Sequence, residues 1–130
     1  MSNNIGISGP GFISFQVRDL AAAAAFYEQT IGLKRDPRPF PGAVAFLSTP
    51  IPFGLLEKRP EVDLDNLPLP GLGTALWLKA ENGQVAYDAL KNAGVSMVRD
   101  IFDGPFGKTF TFSDLDGYRV TIYDRDLPPL

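Results

Sequence analysis

Residues 11–18, Gly11-Phe12-Ile13-Ser14-Phe15-Gln16-Val17-Arg18, alternate like a strand with one buried face. Ile13, Phe15 and Val17 form that face, and the even positions point the other way. Asp19 is placed to cap a helix that runs through Leu20, the five alanines of 21–25 and Phe26-Tyr27. Ile31-Gly32-Leu33 ends it, with Gly32 suited to the left-handed residue that closes a helix. Residues 43–48 and 53–58 read as two further strands, with Pro50 and Pro52 in the turn between them.

The same order returns in the second half. Residues 74–80 read as a strand, Asn82 as a cap and 84–92 as a helix, with Ala93-Gly94-Val95 in the place of Ile31-Gly32-Leu33. A short strand at 97–99, another at 108–112, the turn Asp114-Leu115-Asp116-Gly117 and a last strand at 118–123 complete it. The expected fold is therefore α+β: one domain over 1–130, made of two βαβββ modules at about 10–60 and 74–126. Residues 61–73, rich in Asp, Leu, Pro and Gly, link them. A βαβββ unit cannot cover its own sheet on both faces. Two of them, each curling, leave a concave trough on the side away from the helices, which lie on the outer face.

Composition changes the picture by what it omits. The 130 residues include neither histidine nor cysteine. Neutral imidazole and thiolate are the usual ligands of zinc, nickel, iron and copper, and histidine is the commonest general base near neutral pH. What remains is a carboxylate site for a hard cation, acid–base work by Asp, Glu, Lys or Tyr, or binding without chemistry. The net charge of −3 argues against nucleic acid, which calls for a basic patch. No stretch approaches the roughly 20 apolar residues of a membrane span, and the start MSNNIGISG lacks the basic and apolar regions of a signal peptide. A cytoplasmic protein is expected.

Phe15-Gln16-Val17-Arg18-Asp19-Leu20, then Phe26-Tyr27 and Gly32-Leu33, resemble the opening of the vicinal oxygen chelate superfamily. Residues 108–112 with Asp114-Leu115-Asp116-Gly117 and Val120-Thr121-Ile122 resemble its closing strands, where Asp-Pro-Asp-Gly is usual. The likeness covers about residues 10–125. It implies paired βαβββ modules and commonly a homodimer whose troughs lie at or near the subunit interface. Metalloenzymes of that superfamily hold a divalent ion through His and Glu. Carried over, those positions fall on Phe12, Thr74 and Thr121, with a fourth near Leu55. Such side chains do not hold a catalytic metal. The pattern resembles the metal-free, bleomycin-resistance-like branch, which implies no cofactor, no metal and no catalytic residue.

The expected trough lining is Phe12, Ser14 and Gln16 from the first strand, then Val44, Phe46, Phe53 and Leu55. Phe40 and Glu57 stand at its edge, with a solvated strand-end carboxylate the favoured rival role of Glu57. The second half offers Thr74, Leu76, Thr109, Thr111, Arg119, Thr121 and Tyr123. Aromatic walls with scattered hydroxyls suit a flat guest. Phe15, Phe26, Trp77, Phe110 and Phe112 fall on the helix-side face as core. Core is the rival role for Phe12, Phe46 and Phe53, and a dimer contact for Phe40 and Phe53. Arg119 has a ligand's acidic or carbonyl group on one reading and solvent on the other.

Three tempting motifs carry less. Asp114-x-Asp116-Gly117 lacks the later ligands of a calcium loop and reads as a hairpin turn. Gly107-Lys108-Thr109 mimics the end of a phosphate loop, but a strand follows where a helix is needed. Asp100 and Asp103 flank a segment expected as a loop able to overhang the trough.

The expected function is sequestration of a hydrophobic, aromatic natural product or antibiotic, with neutral polycyclic compounds such as quinones or enediynes favoured. The first alternative is a metal-independent isomerase, cyclase or hydrolase using Glu57 or Tyr123, and the second a structural or regulatory dimer whose trough its own side chains fill. Neither nucleic acid nor membrane is an expected partner.

Overall fold

The computed structural model describes residues 5–126. It divides into two compact units at the Pro60–Glu61 junction, and each unit builds its own sheet. The α+β class holds.

In the first unit, β1 (Ile13–Val17) leads into α1 (Leu20–Ala25), which continues as a π-helical turn over Phe26–Thr30. β2 (Ala43–Phe46) and β3 (Phe53–Glu57) follow, and the sheet order is β1-β3-β2. Asp19 caps α1, its Oδ1 accepting from the Ala22 N–H at 3.0 Å. Gly32 takes φ of 89° just past the helical segment. The expected βαβββ order is shortened here: a single bridge from Arg35 to Phe46 stands where a further strand would lie. Pro37, Pro39 and Pro41 follow at once, and proline cannot donate to a ladder.

The second unit has the full order: β4 (Leu76–Lys79), α2 (Gly83–Asn92), β5 (Ser96–Gly104), β6 (Gly107–Ser113) and β7 (Arg119–Tyr123). Its sheet runs β4-β7-β6-β5. Asn82 Oδ1 caps α2 from the Val85 N–H at 3.1 Å. The expected short strand at 97–99 is instead nine residues long, with register shifts after Met97 and Arg99. Asp100 and Asp103 thus belong to a strand and form no overhanging loop, because β6 is long enough to pair with the whole segment. Residues 61–73 cluster with this unit, turning through Leu69–Leu72 and Gly71–Thr74 hydrogen bonds.

In both units the first strand pairs in parallel with the last, β1 with β3 and β4 with β7. Register then sorts the side chains. Ile13, Phe15 and Val17 share a face with Phe53 and Leu55, and through β2 with Val44 and Phe46. Tyr27 of the π-helical turn packs edge-on against Phe53, at 5.1 Å between ring centres, and also meets Phe46. In the second unit Leu76 and Leu78 share a face with Val120, Ile122, Phe110 and Phe112, and Tyr87 of α2 packs on Phe110 at 5.2 Å.

Two carboxylates pin the turns of the second unit. Asp114 Oδ1 accepts from the backbone N–H of Asp116 and of Tyr118, both at 2.9 Å, so its role is that of a turn residue. Asp124 Oδ2 accepts from the Gly83 N–H at 2.7 Å and its Oδ1 from the Lys108 N–H at 2.8 Å, tying the start of α2 to β6. Those contacts, led by the Gly83 N–H, hold its pKa below the usual carboxylate range. The clasp needs glycine beside it, since a Cβ at Gly107 would stand 2.0 Å from Asp124 Oδ1.

Asp124→Ala orphans two N–H groups and is expected to cost on the order of 2 kcal/mol, read as a lower urea midpoint at pH 7. A folded-state pKa below the unfolded one stabilises fully above the ordinary carboxylate range and is lost as pH falls through the folded-state value. The gap between wild type and variant should therefore narrow in acid; a gap that is constant with pH would refute this role.

Candidate functional site

The face of the second sheet turned away from α2 carries the densest chemistry. Register puts Trp77, Thr121, Thr111 and Arg99 in one row across its four strands. Trp77 is 45% exposed, large for an indole, and meets Phe106 at 5.2 Å and Tyr123 at 5.8 Å between ring centres. Phe106 and Tyr123 are themselves 6.0 Å apart, so three rings meet edge to face. They border a cavity of about 290 Å³, closed at one side by Asp126, which Lys79 holds at 2.6 Å. The Thr111 and Thr121 hydroxyls bond each other at 2.8 Å. At the far end of the row, the Arg99 guanidinium lies 3.9 Å above the centre of the Phe102 ring.

The first unit has a cavity of its own, about 350 Å³, lined by Phe12, Phe40, Ala45, Leu47, Pro52 and Leu56 among others. Phe12 points the Cζ tip of its ring at Gly54 of β3, where a Cβ would stand 2.4 Å from it. Glycine is what lets that ring settle. The wall opposite holds a bidentate pair: Arg38 Nε lies 3.0 and 3.1 Å from the Asp36 oxygens. The Arg38 guanidinium draws the Asp36 carboxyl down to about 2. Arg38 also sits over the Phe40 ring at 5.6 Å.

The expected lining is divided between the two cavities and the core. Phe12, Phe40, Val44 and Phe46 border the first cavity and Tyr123 the second. Yet the side chains of Val44, Phe46, Phe53 and Leu55 are buried on the helix-side face, contrary to the phase expected for β2 and β3. The pairing Phe15 to Leu55 fixes that phase, so Gly54 and Leu56 take the open face with Ala43 and Ala45. β4 is shifted in the same way: Leu76 is buried and Trp77, expected as core, is open. Thr74 precedes the strand and bonds the Gly71 carbonyl at 2.9 Å in a turn. Ser14 is exposed on the open face, and Gln16 accepts from the Arg59 N–H at 2.9 Å. Thr109 is buried with its hydroxyl on the Gly107 carbonyl. Arg119 is exposed opposite Ser113. Glu57 is exposed at the end of β3 and borders neither cavity.

Trp77, Phe106, Arg99 and Phe102 were not among the residues expected here. The signal for Trp77 was Lys79, two residues on and thus on the same face. For Arg99 it required the bulges of β5, which no alternation reveals.

The superfamily's metal does not fit this chain. The positions matching its ligands are Phe12, Thr74, Leu55 and Thr121, with Leu55 inside the core and both threonine hydroxyls already bonded. Among the described residues no three His, Cys, Asp or Glu side chains cluster.

The family model of the Glyoxalase/Bleomycin resistance protein/Dioxygenase superfamily matches residues 9–122. The chain belongs to that superfamily. No curated protein matches it. Among solved structures, the glyoxalase-type fold recurs in TnmS3, an antibiotic binding protein from Streptomyces sp. CB03234. That structure is 21% identical with a TM-score of 0.74, covering 94% of this chain and 99% of that one. UcmS2 is similar at 22% identity and a TM-score of 0.72, covering 91% and 98%. A superfamily member from Sphaerobacter thermophilus DSM 20745 is 23% identical with a TM-score of 0.67, covering 92% and 98%.

Trp77 is the one tryptophan of this superfamily member, so its fluorescence reports the open face of the second sheet directly. Its exposure predicts a red-shifted emission readily quenched by acrylamide in the free protein. A blue-shifted, acrylamide-resistant emission would place the indole under cover.

Proposed function

We propose that this protein binds and sequesters a flat, hydrophobic, aromatic small molecule, an antibiotic or related natural product. The observation that carries this reading is the exposed edge-to-face trio of Trp77, Phe106 and Tyr123 around a cavity. A large exposed indole costs the free protein solvation that an aromatic guest recovers by stacking. The cavity is walled by rings and its one carboxylate, Asp126, is held by Lys79, which favours holding a ligand over transforming it. The similarity to an antibiotic binding protein is in keeping with this.

Burial of the ligand's reactive part would protect stoichiometrically, so protection rises with protein concentration and not with time. We also propose a homodimer, supported by the apolar exposure of Phe12, Phe40 and Leu47 in the first unit. Sedimentation equilibrium should give twice the chain mass; a single-chain mass at micromolar concentration would refute it.

A panel of polycyclic aromatic antibiotics should include compounds that quench Trp77 saturably, raise the melting temperature and return chemically unchanged by mass spectrometry. Trp77→Ala should weaken binding about tenfold or more, the scale of one lost aromatic stack. A compound returned altered would make the protein an enzyme and direct attention to Tyr123, which borders the cavity. A panel with neither quenching nor thermal shift would refute the proposal.

A further inference from the structure

The row Trp77–Thr121–Thr111–Arg99 has unlike ends. At one end is a cluster of rings; at the other is a cation held over a ring. Three strand spacings separate them, roughly 14 Å. Between them lie two small hydroxyl-bearing side chains that leave the floor low.

The cation rests on a ring. Arg99 is exposed, and its guanidinium packs on Phe102 at 3.9 Å. Among the described residues no carboxylate pairs with it. Stacking fixes the guanidinium plane while leaving its in-plane N–H groups unspent. A planar fork of that kind matches a carboxylate or other flat anionic group. Its own strand presents Asp100 to Tyr87 of α2 on the opposite face, so that nearest acid is already engaged elsewhere. The orientation follows from the bulges of β5, which bring Arg99 opposite Thr111 and Phe102 opposite Thr109 on the open face.

Building on the binding function proposed above, we infer that the ligand is an elongated aromatic acid: a flat ring system that stacks at Trp77, with an anionic group some strand spacings away that Arg99 receives. Arg99 is then the residue that sets ligand class, and the rings supply affinity common to all flat guests. This replaces the neutral polycyclic compound expected from the sequence.

The test uses the intact protein with 4-(anthracen-2-yl)benzoate, long enough to span the row, and its neutral isostere 4-(anthracen-2-yl)benzamide, each titrated by Trp77 quenching. Wild type should bind the carboxylate about tenfold more tightly, the scale of one charge-assisted hydrogen-bond pair. Arg99→Met should erase that preference by weakening the carboxylate alone, and Arg99→Lys should restore part of it. Unchanged melting temperatures of the ligand-free variants would show that the fold is intact. Equal binding of both compounds by wild type, or a preference that survives in Arg99→Met, would overturn the inference while leaving the binding function standing. No quenching by either compound or by the antibiotic panel would overturn both. An equal loss of both compounds in Arg99→Met would make Arg99 a structural support for the Phe102 wall, and would also overturn the inference.

Discussion

Parallel pairing of the first strand with the last governs each unit. A parallel pair cannot be joined by a tight hairpin, so the chain must leave the sheet, cross it as a helix and return. That single requirement produces α1 and α2, and the helix then dictates which face of the sheet is dry. Once Phe15 is paired with Leu55, and Leu78 with Ile122, every neighbouring strand is committed to a phase. The open faces, with their rings, hydroxyls and cation, are what remains after the core has taken its share.

The fold was legible because it is written redundantly. Asp19 and Asn82 cap where they were expected to, and Gly32 and Gly94 adopt the left-handed conformation their places call for. The faces were less legible, for a physical reason. In Ala43-Val44-Ala45-Phe46 and in Leu76-Trp77-Leu78 both parities are apolar, so hydrophobic alternation has no contrast to read. What decides is volume: Val44 and Phe46 fill the space beneath α1, and the two alanines leave the open face shallow. Trp77 lies outside for the converse reason, that Leu76 and Leu78 already fit against Val120 and Ile122. Polar positions fared better, and Thr111, Thr121 and Tyr123 are on the open face as alternation required.

The long β5 shows a different limit. Its register shifts are tertiary events, set by pairing with β6 over a segment whose sequence, Asp100-Ile101-Phe102-Asp103, looks like an exposed turn. The irregularity re-aims side chains, as bulges do beside functional sites. It sends Asp100 to Tyr87 on one face and Arg99 with Phe102 to the other.

The paired hydroxyls of Thr111 and Thr121 have a consequence of their own. Either oxygen can be the donor of their mutual bond, so the pair has two states of equal geometry. In one, Thr121 donates and the Thr111 hydrogen is spare; in the other, Thr111 donates and the Thr121 hydrogen is spare. The floor of the site is thus a reversible dipole. It can greet a carbonyl or a hydroxyl, at either of two places, by rotating two bonds and moving no atom heavier than hydrogen. A surface with that property forgives small chemical edits to whatever polar group is set against it.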